Sequence, residues 1–103
     1  MPTLAKSKDA VQTIKIDAKR AVEIAIRYFG EFFPQLAAAS ALEEIEEGDD
    51  GKCWLITLGF DVKKRHENAP ALKLASYFTA REYKTFKIDN TSGKVTSMKI
   101  RTL

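Results

Sequence analysis

The sequence predicts an α+β fold in which one amphipathic helix packs on a four-stranded antiparallel meander sheet of cystatin-like form. Three observations carry this. Apolar residues recur at helical spacing from Ala18 to Phe33. Trp54, Ile56, Leu58, Phe60 and Val62 alternate strictly with Cys53, Leu55, Thr57, Gly59 and Asp61. Clusters of Gly, Asp, Asn and Ser then punctuate the later apolar segments at hairpin spacing. A meander has one apolar face to cover, and a single helix suffices.

Each element has a local reason. Val11 to Ile16 is β-branched enough for a short strand or an extended lead-in, after a polar stretch, residues 1–10, that is expected to fray. Asp17 reads as an N-cap, its carboxylate accepting from free N–H groups of the first turn. The helical stripe is Ala18, Ala21, Val22, Ala25, Ile26, Phe29, Phe32 and Phe33, and Pro34 closes the helix near Phe33. Gln35 to Ser40 is Ala-rich and prolongs it as a separate turn. An acidic strand, Leu42 to Glu47, leads into Gly48-Asp49-Asp50-Gly51, a turn built on positive φ and side-chain capping.

In the next strand Trp54, Ile56, Leu58, Phe60 and Val62 face one side. The segment Lys63 to Ser76 is read as a long connecting loop, and Tyr77 to Ile88 forms a second hairpin with Val95 to Leu103, Phe86, Ile88, Met98 and Ile100 facing inward.

Composition narrows the classes. The chain of 103 residues is one domain's worth, 45% hydrophobic and 30% charged, values of a globular protein rather than a disordered tail. No apolar run reaches the ~20 residues of a membrane span, and Met1 to Asp9 holds no stretch of signal-peptide length, so a cytoplasmic location is expected. One cysteine, Cys53, permits no intrachain disulfide, and one histidine, His66, assembles no usual zinc set. The net charge of +3 is unevenly spread. Residues 1–51 carry six Lys/Arg against ten Asp/Glu, giving −4, whereas residues 52–103 carry eleven against four, giving +7.

Three segments resemble the PepSY-type domain, a small cystatin-like α+β module. Ala18 to Phe29 is similar to that family's Ala-rich opening helix. Leu42 to Phe60 resembles its acidic strand, Gly/Asp turn and Trp-bearing strand. The run Tyr83-Lys84-Thr85-Phe86-Lys87-Ile88-Asp89-Asn90-Thr91-Ser92-Gly93-Lys94-Val95 resembles its closing signature. Together they span about Ile14 to Arg101. The resemblance implies a non-enzymatic bacterial module of the kind found in protease propeptides, where it inhibits or chaperones a peptidase, and in envelope proteins. It implies no cofactor.

The residues themselves offer few sites. A Cys53/His66 nucleophile pair needs the two within hydrogen-bond reach, whereas an off-core thiol and a solvated loop histidine are the plainer expectation. Glu43, Glu44, Glu46, Glu47, Asp49 and Asp50 match no calcium-loop spacing and read as a solvated acidic edge. There is no Gly-rich phosphate loop and no Gly-x-Ser-x-Gly. The candidate binding surface is the outer sheet face, with Arg81, Tyr83, Lys87, Lys99 and Arg101, together with Lys63, Lys64 and Arg65 of the loop.

Two partners suit it. A protein or peptide fits a regulatory module, and a nucleic acid or other polyanion fits basic groups around an aromatic. The protein is expected as a monomer or a homodimer, and the opposite charges of the first and last strands suggest a head-to-tail attraction between sheet edges.

Overall fold

The computed structural model describes residues 15–66 and 77–102. The expectations for residues 1–10, for most of the lead-in strand and for the greater part of the Lys63 to Ser76 connection lie outside these residues. Helix α1 (Ala18–Phe32) and a short helix α2 (Pro34–Ala38) precede strands β1 (Ala41–Gly48), β2 (Cys53–Arg65), β3 (Tyr77–Asp89) and β4 (Val95–Arg101). All neighbours pair antiparallel, in the order β1-β2-β3-β4. This is the α+β meander that the sequence predicts.

The helix ends follow the local chemistry. The Asp17 carboxylate accepts from the Arg20 N–H at 2.8 Å. Phe33 leaves the helical region at φ −138°, and Pro34 opens α2 where no N–H is required. The buried line on α1 is Ala21, Ala25 and Phe29. Two alanines let the helix approach the sheet, and the Phe29 ring then enters a cluster, 5.1 Å from Phe60 and 5.7 Å from Phe86 between ring centres. Ile56, Leu58 and Ile88 complete the floor.

The stripe is rotated from the one the sequence suggests. Ile24 and Tyr28 pack against the core, whereas Ile26, Phe32 and Phe33 are exposed. The cause is the helix's position: α1 lies on β2, β3 and β4, so the flank of the helix nearer β1 meets little. Leu42 and Ile45, which share β1's helix-side face with the core rows of β2, are exposed for the same reason.

One buried polar residue ties three segments together. The Asn90 backbone N–H donates to Lys52, its carbonyl accepts from the Ile16 N–H, and its side-chain amide donates to the Gly51 carbonyl. Trp54 adds a second clamp on the lead-in, its Nε1 donating to the Ile16 carbonyl at 2.7 Å. The turn between β1 and β2 has Asp49, Asp50 and Gly51 successively at φ +52°, +56° and +83°, left-handed positions that Asp and Gly tolerate best. That between β3 and β4 is capped by Asp89, whose carboxylate accepts from the N–H groups of Thr91 and Ser92 at 2.8 Å each. These two bonds hold the Asp89 carboxyl below its ordinary range.

Candidate binding surface

Arg81, Tyr83, Lys87, Lys99 and Arg101 share the sheet face away from the helix, as the alternation requires. The bare basic face expected from the sequence does not form. Its arginines and Lys87 are taken up by carboxylates, mostly of the acidic first half. Arg81 meets Glu43 at 2.5 Å and Asp61 at 3.2 Å. Lys87 meets Asp49 at 2.6 Å. Arg101 reaches Glu44 across both central strands, passing Thr57 Oγ1 at 3.4 Å on the way.

Backbone irregularities make these pairs possible. The register of β1 slips between Leu42 and Glu44, so that two successive glutamates turn toward the outer face. Gly59 then provides the trough for the Glu43–Arg81 pair: a Cβ there would stand 2.5 Å from Glu43 Oε2 and 3.0 Å from Arg81 Nη2. Under the Arg101 chain, Thr57 and Thr85 share a hydrogen bond of 2.9 Å. The pairs leave their mark on titration. The Glu43 and Asp61 contacts push Arg81 above its ordinary value, Lys87 is raised by Asp49, and Asp49 is lowered by Lys87. Among the described residues of this face, no ion pair is formed by Lys99 or Lys63.

The acidic edge is exposed as expected, with Glu43, Glu44 and Asp49 also paired to cations of the outer face. The described residues include no cluster of metal-ligating groups. Cys53 does point off the helix side, but it is 4% exposed rather than half-exposed. Its thiol lies against the Gly48 to Asp49 turn, and burial, with the Asp49 charge, raises its pKa. His66 follows the far end of β2, thirteen residues away, which at ~3.3 Å per residue is about 40 Å. The two cannot form a dyad within one chain.

Lys63, Lys64 and Arg65 are strand residues, not loop residues, which corrects the boundary expected at Val62. Strand β2 continues to Arg65 and pairs with β3 as far as Tyr77. β1 reaches only Gly59, and β4 only Tyr83. Beyond them Asp61–Arg65 and Tyr77–Arg81 form a two-stranded arm of five pairs, about 17 Å long, with no described strand on either side. Val62 is the last of its residues to pack on the core. Tyr77 is 45% and Phe78 41% exposed, and both, with Lys63 and Thr79, line a groove of about 230 Å³. The His66 ring lies 4.6 Å from Phe78, and Lys64 meets Glu82 at 2.6 Å. The arm is the feature that sequence reasoning missed: Lys63-Lys64-Arg65 gives no strand signal on the β2 side, and only the start of β3 at Tyr77 was legible.

No protein-family model, curated protein or solved structure matches the chain. Among the described residues no helix is long and apolar enough to cross a membrane.

Proposed function

We propose that the protein is a non-enzymatic binding module that engages a polypeptide through the β2–β3 arm. The observation that carries this reading is the arm itself. A two-stranded ribbon is marginal alone in water, and among the described residues this one has no strand on either edge and carries two half-exposed rings beyond the cover of the helix. An added strand would satisfy its free backbone groups and cover Tyr77 and Phe78. The PepSY-type resemblance, with its peptidase-inhibiting or chaperoning relatives, agrees with a polypeptide partner, and the helix-then-meander order supports that resemblance. Binding of a polyanion to the outer face is the weaker reading, because Arg81, Lys87 and Arg101 would first have to leave Glu43, Asp49 and Glu44.

A photo-crosslinking residue at Phe78, with Lys99 as the control position, tests this in cells that make the protein. Polypeptide adducts at position 78 and few at 99 are expected. Adducts to nucleic acid, or equal yields at both positions, reject the arm as the binding element.

A further inference from the structure

The arm's edges are not equivalent to the other edges of the sheet. Strand β1 is guarded by Glu43, Glu44, Glu46 and Glu47 and by a register slip. Strand β4 carries Lys99 and Arg101 and has its own slip opposite Lys87 and Ile88. The free stretch of β2 carries Lys63, Lys64 and Arg65 in succession. Charges and irregularities of this kind are what keep sheet edges from pairing with other chains. The uncovered stretch of β3, Tyr77-Phe78-Thr79-Ala80-Arg81, has no irregularity and a single charge. Its register with β2 is unbroken, and its one charge, Arg81, is matched by Glu43 and Asp61 of the same molecule.

We propose that this segment pairs antiparallel with the same segment of a second copy, around a two-fold axis through Thr79. The inference rests on the arm being the binding element and names its occupant. The register follows from the pleat. A two-fold axis perpendicular to the sheet keeps each face on its own side, so opposed residues must have numbers of the same parity. Centring on Thr79 opposes Thr79 to itself, Phe78 to Ala80 on the helix side, and Tyr77 to Arg81 on the outer side. Thr–Thr is a favourable cross-strand pair, and Tyr77 would lie along the aliphatic stem of Arg81, whose guanidinium stays on Glu43 and Asp61. No like charges meet.

Centring on Ala80 instead sets the Glu82 carboxylate against Phe78 and brings Tyr77 onto Tyr83, whose edge β4 already occupies. The Thr79 register ends at Arg81, short of that point. On β2, centring on Lys63 would oppose it to itself, and any pairing would gather the three cations of each copy. The product is a four-stranded span, β2-β3-β3-β2, joining two sheets. Five paired residues make a small interface, so the association is concentration-dependent rather than obligate.

Thr79 is exposed and lies beyond the core, so it can be changed without unfolding the body, and far-ultraviolet circular dichroism checks that. Light scattering of the intact protein across a concentration series is expected to rise from 11.6 kDa toward twice that mass. Thr79→Lys and Thr79→Glu, each alone, should weaken self-association roughly tenfold or more, since like charges would face each other at the axis. An equimolar mixture of the two should restore it. A wild-type mass that stays at one chain, a dimer indifferent to both substitutions, or a mixture that fails to recover overturns the two-fold pairing. The crosslinker at Phe78 separates the two proposals: adducts to a different polypeptide with a monomeric pure protein reject self-pairing alone, and the absence of any polypeptide adduct, self included, rejects the arm reading as well.

Discussion

The body of the sheet and its arm are made from the same two strands and differ in what lies on them. In the body, β2 and β3 have neighbours on both sides, a helix on one face and a lattice of ion pairs on the other. In the arm, among the described residues, the same strands pair only with each other. Ladder hydrogen bonds are therefore common to both, and burial is not. The difference teaches that the alternation of a strand fixes its face but not how far it is covered. Coverage is decided by the lengths of its neighbours.

Five substitutions can break or sharpen this contrast. The largest effect is expected from Phe29→Ala, which empties the centre of the body and should cost ~3–5 kcal/mol in urea unfolding. The matched truncation in the arm, Phe78→Ala, should lie within ~0.5 kcal/mol of wild type at low protein concentration. Comparable losses at the two positions would mean that the arm belongs to the body energetically. Asn90→Ala removes the amide that satisfies Gly51 at a site 3% exposed and should cost about 1–3 kcal/mol. Hydrogen exchange should then quicken at the lead-in and the β1–β2 turn before the arm changes.

Next comes Asp89→Asn. Because the folded pKa lies below the ordinary 3.8, the stability that Asp89 contributes is fully present above that value and is lost as pH falls through the folded one. The variant should be slightly less stable at neutral pH and lose less stability than wild type on titration from pH 5 downward; parallel acid limbs would show that the cap does not act through its charge. The smallest effect is a gain. A Cβ at Gly30 would meet Ala37 Cβ at 3.7 Å, an ordinary contact, so Gly30→Ala should stabilise the body by ~0.5–1 kcal/mol without altering the arm.

The fold was legible because periodicity and turn chemistry agree: Asp17, Pro34, the Gly48 to Gly51 turn and the Asp89 to Gly93 turn each act where the sequence places them. The helix face was less legible. Apolar spacing picked Ile26, Phe32 and Phe33, but which flank of α1 meets the sheet depends on its lateral position over four strands, a long-range property. The outer face was misread for a related reason. The split between an acidic first half and a basic second half is visible in the sequence, yet its resolution within the molecule depends on a one-residue slip at Glu43 and on the missing side chain of Gly59. Lys63 to Arg65 carry turn-like polarity; in an uncovered ribbon both faces meet water, and alternation has no apolar half to reveal the strand.

The burial of Cys53 gives the protein a built-in clock. The thiol is closed off by the turn that also holds Asp49 against Lys87, and a thiol rather than a thiolate is favoured there. Alkylation by a small electrophile thus has to wait for that corner of the sheet to part. Because Cys53 is the chain's sole cysteine, the rate of its labelling in the unaltered protein records how often the β1–β2 corner breathes.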